Sequence, residues 1–354
     1  MAKFQTDGYK ISAIYTCVPK NKLRTEDYEW ISVEERKMFA KTTGIIERRV
    51  ATEGVTCSDL CYKAADELLN EFDIRDKIDL VLFVSQSPDY FLPATSIVLQ
   101  NRLGITKSAM AFDVNLGCSG YVYGLSIAAN FLKNEGIRNV LLLAGDKSTI
   151  STSYKDKSTY PLFGDAGTAT LIQKFDDVEN NGNWYFNMYS DGSGADAIRI
   201  EEGHSRYPYK PEKKEVYELI DKGIERTKMH LALDGMKVFN FALKEVTPSI
   251  RELLDFSRKE VSDVDCFLLH QANLLINESI RKKLKLEASK FPISIDEFGN
   301  TSSASIPLTI CSRMSEIDWS KPKTILMSGF GVGLSWANLL LKMTRPALKL
   351  LEHD

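Results

Sequence analysis

One strand–turn–helix–strand pattern occurs twice in this chain, and this internal repetition constrains the fold more than any single motif does. In the first copy, a predicted strand leads through a glycine-containing turn into a small-residue helix over 121–132. In the second copy, a predicted strand leads through a similar turn into a helix over 304–314. Cys118 and Asn300 occupy the corresponding turns. A duplicated unit would bring both residues to the carboxyl ends of central strands, where the ligand sites of open α/β sheets gather.

Elsewhere, short apolar runs alternate with amphipathic helical stretches, a pattern typical of βα units built around buried sheets. The predicted strands are residues 79–85, 109–114, 140–144 and 168–172 in the first half, and 264–269, 291–295, 324–327 and 335–341 in the second. We divide the chain into an N-terminal half, residues 1–178, and a C-terminal half, residues 179–354. The most polar stretch, residues 191–230, is predicted to be a loop-rich insertion with one helix and not a separate domain.

Charge and hydropathy exclude several classes of function. The formal net charge is −3, from 45 Lys+Arg and 48 Asp+Glu, whereas nucleic-acid and anionic-membrane binders usually need a basic excess or stripe. The densest basic cluster, residues 281–283, lies on a predicted amphipathic helix, where a solvated face explains it. The sequence has neither an apolar run of about 18 residues nor the pattern of a secretory signal at its N-terminus. We therefore expect a cytoplasmic protein that binds neither nucleic acid nor a membrane.

The cysteines and histidines give little support to a metal site. Six cysteines are scattered along the chain, as expected for reduced thiols in a cytosol. Cys57 and Cys61 lie one helical turn apart and could form half of a metal site, but the sequence has no second cysteine pair and only four histidines. Since a closed zinc site needs about four such ligands, we expect no metal.

Cys118 is the strongest candidate nucleophile. It lies between two glycines, Gly117 and Gly120, at a predicted strand-to-helix turn. A helix N-terminus lowers a thiol pKa and offers backbone N–H donors to an oxyanion, and flanking glycines permit a sharp, exposed turn. The turn of a serine hydrolase follows the same logic with another nucleophile. The alternative, a small buried cysteine at a tight turn, stays open on this evidence.

Two further side chains complete a possible catalytic set. His270 follows the apolar run 266–269 and opens a polar segment, so it is predicted at the end of a buried strand. Asn300 precedes a predicted helix. Individually, the histidine could be a structural hydrogen-bonding residue and the asparagine a helix N-cap. The set of Cys, His and Asn at strand ends, in a chain with few histidines, favours catalysis.

Two glycine-rich stretches have structural interpretations. Residues 329–333 resemble a phosphate-binding loop in composition, but such a loop must open a helix, and this one precedes a predicted strand. Close backbone packing, or an N–H group directed at a reacting oxygen, explains it better. Residues 164–167 also precede a strand and are predicted to form a tight structural turn.

Taken together, these motifs resemble the β-ketoacyl-acyl-carrier-protein synthase III family of the thiolase superfamily. The matching segments are residues 41–45, 113–121, 163–167, 191–193, 270–273, 298–307 and 329–333. They occur in family order and cover the chain from about residue 40 to 340, with the insertion matched poorly. The resemblance implies the five-layer αβαβα thiolase-like fold, made of two pseudo-equivalent halves, and a homodimer.

The resemblance also implies a mechanism. Cys118 would accept the acyl group from a thioester, and His270 and Asn300 would hydrogen bond to the carbonyl of a malonyl thioester as carbon dioxide leaves. The backbone N–H groups of Cys118 and Val332 would hold the tetrahedral oxyanion. A Cys-His-Asn set matches the decarboxylating branch, whereas elongating synthases carry a second His and thiolases a second Cys. No permanently bound cofactor is implied, because thioester chemistry alone forms the carbon–carbon bond.

Several substrate-binding positions depart from the family pattern. The positions assigned by resemblance are Leu92, Lys157, Leu275 and Phe330. The aromatic residue and the arginine that clasp the adenine of coenzyme A correspond to Met38 and Thr42, and a second clasping arginine corresponds to Lys157. An arginine used in docking the carrier protein corresponds to Leu275, and a phenylalanine that limits acyl length corresponds to Leu92, although Phe91 is adjacent.

These departures favour a donor other than acetyl-coenzyme A, either a longer acyl group or one carried by an acyl carrier protein. The predicted partners are therefore an acyl carrier protein and an acyl thioester such as acyl-coenzyme A, in fatty-acid or specialised acyl or polyketide biosynthesis. Two alternatives remain: an acyltransferase of the same fold that transfers the acyl group to an amine or alcohol, and a non-catalytic paralogue that binds a carrier protein. A cysteine hydrolase is disfavoured because it leaves the repeated halves unexplained.

Overall fold

The computed structural model describes residues 2–175, 182–210, 216–314 and 317–354. Its strands are β1 Ala2–Thr6, β2 Tyr9–Pro19, β3 Lys22–Arg24, β4 Glu47–Arg49, β5 Leu80–Val84, β6 Met110–Val114, β7 Asn139–Asp146, β8 Ala166–Lys174, β9 Trp184–Ser190, β10 Ile198–Arg199, β11 Glu218–Asp221, β12 Ile224–Arg226, β13 Ala232–Leu233, β14 Cys266–Leu269, β15 Lys323–Gly331, β16 Ser335–Met343 and β17 Ala347–His353. Its α-helices are α1 Val33–Thr43, α2 Cys57–Phe72, α3 Thr95–Arg102, α4 Gly120–Leu132, α5 Gly235–Phe241, α6 Thr247–Ser257, α7 Leu274–Leu284, α8 Ile295–Phe298 and α9 Ser305–Arg313.

Two sheets share one topology. The first has the strand order β17-β2-β8-β7-β5-β6, and the second has the order β1-β9-β16-β15-β14. In each sheet two antiparallel pairings are followed by one parallel pairing, through β2-β8-β7-β5 in the first and β9-β16-β15-β14 in the second. This equivalence confirms that the fold consists of two pseudo-equivalent halves. The predicted boundary between residues 178 and 179 lies outside the described residues.

The strands and helices form five layers. Helices α4 and α9 pack between the two sheets in one apolar cluster that includes Leu125 and Ile310. Helix α2 packs on the outer face of the first sheet, and α6 and α7 pack on the outer face of the second. Because both faces of each sheet are covered, central strands such as β5 are buried at every residue, which explains their continuous apolar sequences. The predicted αβαβα architecture is confirmed.

The terminal strands cross between the halves. The N-terminal strand β1 pairs antiparallel with β9 of the second sheet, and the C-terminal strand β17 pairs parallel with β2 of the first. Each end of the chain therefore closes the sheet of the opposite half. Among the described residues, no helix is both long and apolar enough to cross a bilayer.

The strand predicted at residues 291–295 is wrong. Helix α8 begins at Ile295, and residues 291–294 belong to no strand. Pro292 has no N–H to donate to a ladder, and its neighbours bond to side chains instead. The Ile293 carbonyl accepts from Arg313 Nε at 2.9 Å, and Ser294 N donates to the side chain of Gln271 at 3.1 Å. The repetition therefore lacks its first strand in the second half, and β14 forms the edge of that sheet.

The polar insertion also differs from the prediction. Its described residues, 191–210 and 216–230, contain no α-helix and only the 3₁₀ turn Gly192–Gly194 together with short strands. Strands β11 and β12 form a hairpin whose turn contacts the first half, because Lys157 N donates to Gly223 O at 3.0 Å. The described part of the insertion thus forms paired short segments and no α-helix, and residues 211–215 lie outside the described residues.

Candidate active site

Cys118 lies in the turn between β6 and α4, and it is buried. The glycine-rich stretch 329–333 packs directly on this turn. A Cβ atom on Gly331 would lie 2.6 Å from the Cβ and 2.8 Å from the Sγ of Cys118, and one on Gly329 would lie 2.9 Å from the Cα of Ser119. Only glycine leaves room for the turn, which confirms the close-packing interpretation of this stretch.

The prediction of a tight turn at residues 164–167 is wrong, because Gly164 and Asp165 form no turn and Ala166 and Gly167 belong to β8. The stretch is closely packed instead. A Cβ atom on Gly164 would lie 2.1 Å from the Phe298 carbonyl oxygen, and one on Gly167 would lie 2.4 Å from the Cys61 nitrogen. Asp165 between them is buried and accepts hydrogen bonds from Thr149 and from the Ala51 N–H. The stretch therefore packs against α2 in the first half through Gly167 and against the second half through Gly164.

His270 follows β14 at the carboxyl end of the second sheet. Its N–H donates to the Ser328 carbonyl at 2.8 Å, and its Nδ1 lies 2.8 Å from Ser305 Oγ. The ring of Phe330 stands edge-on to the imidazole, with centroids 5.5 Å apart. Burial lowers the pKa of His270 to about 3, so the imidazole is neutral at neutral pH.

Asn300 lies in the turn between α8 and α9, and it is not the N-cap of either helix. Its Oδ1 accepts from Ser302 N at 2.9 Å, and its Nδ2 is 3.4 Å from the Ala272 carbonyl. Its backbone joins the first half, because Asn300 N donates to Leu162 O at 2.9 Å. The amide is therefore oriented from both halves of the molecule.

The three predicted residues meet at one cavity. Its lining includes Cys118, His270, Asn300, Asp146, Phe330, Gly331 and Val332, together with apolar side chains that include Leu162, Ile198, Leu231, Leu233, Val238 and Ile276. A nucleophile, a neutral imidazole and an amide thus face one largely apolar space. Such a space strengthens every hydrogen bond made to a developing charge.

The electrostatics of Cys118 differ from the sequence-based expectation. Burial raises the pKa of its thiol to about 11, and the nearby Asp146 carboxylate raises it further. Hydrogen bonds from the Ser302 side chain and from the backbone N–H groups of Val332 and Cys118 itself lower that pKa without reversing the effect of burial. The resting thiol is protonated, because desolvation outweighs the helix N-terminus. The two backbone N–H groups nevertheless lower the pKa of the thiol.

Sequence reasoning missed two polar residues of this site, Asp146 and Ser302. Asp146 ends β7 and lines the cavity. Ser302 has a φ of +51°, and its Oγ lies 3.9 Å from Cys118 Sγ. Asp146 could have been found from the sequence, because it is a carboxylate at the end of a buried strand. Ser302 could not, because a serine with a positive φ has no sequence signature.

Comparisons with known proteins identify the family. The model of the 3-oxoacyl-[acyl-carrier-protein] synthase III family matches residues 112–192, and the model of its C-terminal domain matches residues 254–343. The β-ketoacyl-[acyl-carrier-protein] synthase III of Clostridium tetani is 34% identical over 313 residues, which cover 88% of this chain and 91% of the relative. The chain belongs to the β-ketoacyl-acyl-carrier-protein synthase III family. This family lies within the thiolase superfamily.

Solved structures of the synthase III family have the same fold. A 3-oxoacyl-(acyl-carrier protein) synthase from Burkholderia xenovorans LB400 superposes with a TM-score of 0.92 at 33% identity, over 99% of both chains. The priming β-ketosynthase of the R1128 polyketide pathway gives 0.81 at 28% identity, over 96% of this chain and 98% of that one. Most of the polar insertion falls between the two segments that the family models match.

The structure brings one of the four residues that were predicted to bind substrate to the cavity. Phe330 lines it. Leu92 is 82% exposed on a loop beside a neighbouring cavity, and Leu275 is half-exposed on α7. Lys157 forms an ion pair with Glu35 at 2.9 Å, and among the described residues it lines neither cavity. Departures from the family pattern therefore concentrate away from the reacting groups.

Proposed function

We propose that this protein is a decarboxylating condensing enzyme that transfers an acyl group to Cys118 and then joins it to a malonyl thioester. The observation that carries the proposal is the single cavity shared by Cys118, His270 and Asn300, which Val332 also lines. Each group has a distinct task in the two half-reactions.

In acyl transfer, the Cys118 sulfur attacks the thioester carbonyl, the new carbon–sulfur bond forms, and the donor thiol leaves with the proton. The N–H groups of Cys118 and Val332 donate to the tetrahedral oxyanion, and only the backbone of Val332 takes part. With the pKa of the thiol raised and that of His270 lowered, a resting thiolate–imidazolium pair is unfavourable. Proton loss therefore accompanies the attack.

In condensation, the malonyl carboxylate leaves as carbon dioxide and the electron pair forms an enolate. Nδ1 of His270 lies 2.8 Å from Ser305 Oγ. In the tautomer that this proposal requires, Ser305 donates to Nδ1, and Nε2 carries the proton and donates to the enolate oxygen together with Nδ2 of Asn300. The carbanion attacks the acyl-Cys118 carbonyl, and collapse of the oxyanion breaks the carbon–sulfur bond. Cys118 regains a proton, and the product is a β-ketoacyl thioester.

The donor in this proposal is longer than acetyl. A second cavity of about 820 Å³, against about 120 Å³ for the cavity at Cys118, adjoins the first through a shared wall of Gln86, Ser87, Lys147 and Ser151. Its lining includes the apolar side chains of Val55, Phe91, Leu92 and Ile150. The acyl chain must remain bound while the first carrier leaves and the second enters, and this cavity supplies apolar space for it.

The partners in this proposal are acyl carrier protein and an acyl thioester, and malonyl carrier protein supplies the extender. The departures at Met38, Thr42 and Lys157 support a donor that is not held through the adenine of coenzyme A. Met38 is 63% exposed, and the Lys157 ammonium is engaged by Glu35. A pantetheine arm alone needs neither contact.

The protein acts as a homodimer in this proposal. Tyr90, Phe91 and Leu92 are all more than half exposed on a loop at the mouth of the second cavity. Strand β6 lies at the open edge of the first sheet. An exposed apolar loop beside an unpaired strand edge is the kind of surface that a second copy covers. Analytical ultracentrifugation tests this part directly.

The first experiment is intact-protein mass spectrometry after incubation with acyl-coenzyme A and acyl-carrier-protein donors of increasing length. The wild type should gain one acyl mass, with donors longer than acetyl loading faster, and Cys118→Ala should gain none. Release of carbon dioxide from malonyl carrier protein, measured next, separates condensation from simple acyl transfer. Loading without carbon dioxide release would support transfer to an amine or alcohol, and no loading would support a carrier-binding paralogue.

A further inference from the structure

Asp146 is a buried carboxylate at the junction of the two halves. It ends β7 in the first half and is 2% exposed. Its Oδ1 accepts from Gln86 N at 2.7 Å and from Ser85 Oγ at 3.2 Å, both in the first half. Its Oδ2 accepts from Ser303 N at 3.2 Å and from Ser303 Oγ at 2.8 Å, in the second half. One carboxylate therefore joins two segments that are remote in sequence.

The turn to which Asp146 hydrogen bonds also orients the side-chain amide of Asn300, a predicted catalytic residue. Ser303 is adjacent to Ser302, whose N–H donates to Asn300 Oδ1 at 2.9 Å. Ser302 adopts a positive φ, a conformation that is unfavourable for residues other than glycine and persists only where the surroundings enforce it. The two bonds from Ser303 to Asp146 supply that constraint. They fix the Asn300 turn against the first half, which carries Cys118.

We propose that Asp146 is a positioning residue for condensation, whose carboxylate holds the Asn300 turn in register with Cys118. The inference rests on the proposed function, because it assigns Asp146 its effect through Asn300. Asp146 reaches the chemistry through the backbone turn and contacts no reacting atom. Nothing in the sequence pattern distinguishes it from the similarly buried Asp165.

Asp146 is expected to affect the two half-reactions in opposite directions. Its hydrogen bonds favour condensation by holding the Asn300 turn, and its negative charge opposes ionisation of Cys118. A negative charge near a thiol opposes formation of the thiolate, and the Asp146 carboxylate raises the pKa of Cys118 in this way. The other titratable side chains around this point are Cys57, on which Asp146 also acts, and His270 and Lys147, which line the same cavity. Removing the charge should ease ionisation of Cys118 even as the loss of hydrogen bonds disorders the Asn300 turn.

The decisive variant is Asp146→Asn, studied in the full-length protein. Carbon dioxide release from malonyl carrier protein should fall by roughly 10- to 100-fold, the loss expected from a misplaced catalytic group. The pH midpoint of Cys118 alkylation by iodoacetamide should move to lower pH. A purely structural residue would lower both rates without moving the midpoint downward, and either an unchanged release rate or an unmoved midpoint would overturn the proposal.

Two further variants separate the effects. Ser303→Ala keeps the charge but removes one bond to Oδ2, so it should slow carbon dioxide release without a downward shift in the alkylation midpoint. Asp165→Asn removes a similarly buried carboxylate, which accepts from Thr149 and Ala51, and it should not lower the midpoint. If the wild type itself released no carbon dioxide, the proposed function would fail and the inference about Asp146 with it, whereas release by the wild type that Asp146→Asn leaves unchanged would overturn the inference alone.

Discussion

At the scale of single residues, Cys118 shows how desolvation and local hydrogen bonding compete. The thiol lies near a helix N-terminus and within reach of two backbone N–H groups, yet its pKa is raised to about 11. A buried thiolate loses more solvation than these donors return. The nucleophile is therefore kept protonated until a thioester enters the cavity, which protects it from oxidation and unproductive alkylation.

The raised pKa of Cys118 predicts a steep dependence of its alkylation on pH. The second-order rate constant with iodoacetamide should increase about tenfold per pH unit from pH 7 upward and level off near pH 11, because only the thiolate reacts. Mass spectrometry of the peptide that carries Cys118 gives the rate at each pH, and the Cys118→Ala protein provides the background. A midpoint below pH 8 would mean that the helix N-terminus dominates over burial.

Gly331 gives a second prediction at this scale. In Gly331→Ala the new methyl group would lie 2.6 Å from the Cβ of Cys118, so the nucleophile or the N–H of Val332 must move. Overpacking of this kind costs about 1–3 kcal/mol, and acyl loading should slow by at least about tenfold because the reacting groups are displaced. Gly192→Ala is the matched control, since a Cβ atom there meets nothing within 4 Å. Equal loading rates in the two variants would contradict the packing argument.

At the scale of elements, the predictability of each segment depends on where its hydrogen-bond partners lie. Strand β5 was predictable because an apolar run covered on both faces has few alternatives. Residues 291–294 resemble a strand in composition, but the Ile293 carbonyl and the Ser294 N–H bond to the side chains of Arg313 and Gln271 and not to a neighbouring strand. Because tertiary structure alone brings these partners together, a local sequence pattern cannot predict them.

The same argument applies to the candidate site. Cys118 and His270 were found because each follows a recognisable strand, Asn300 because it precedes a recognisable helix, and all three because their residue types form a chemical set. Asp146 was missed because its role depends on Ser303, which is 157 positions away in the chain. The sequence shows that a carboxylate ends a strand, but not which turn of the other half lies opposite it.

The contribution of strand β17 to the stability of the first sheet can be tested by truncation. It covers the edge of β2 along seven paired residues, and Glu352 accepts from the buried Arg49 guanidinium at 2.8 Å. A chain truncated after Thr344 should lose at least about 2 kcal/mol of unfolding free energy, because an edge strand and a partner of a buried charge are both removed. Urea denaturation measures the loss, and removal of Asp354 alone is the control. An unchanged midpoint would mean that β17 contributes little to the first sheet.

At the scale of the whole molecule, the site exists only where the two halves meet. Cys118 comes from the first half, and His270 and Asn300 come from the second. The exchange of the terminal strands, β1 into the second sheet and β17 into the first, opposes separation of the halves. Helices α4 and α9 form a continuous apolar layer between the sheets, so a change in the relative position of the halves would disturb the core and the site together.

Because of this arrangement, the buried imidazole of His270 couples the stability of the molecule to pH. Its pKa is lowered to about 3 in the folded protein, against about 6.5 in an unfolded chain. As the pH falls below about 6.5, the unfolded chain binds a proton that the folded protein cannot, so stability is lost until the pH reaches about 3. His270→Gln should therefore show a smaller loss in unfolding free energy between pH 7 and pH 4, by up to about 1.4 kcal/mol per pH unit. Urea titrations at several pH values measure this slope, with the exposed His204→Gln as control; parallel slopes in all three proteins would show that His270 accepts a proton in the folded state.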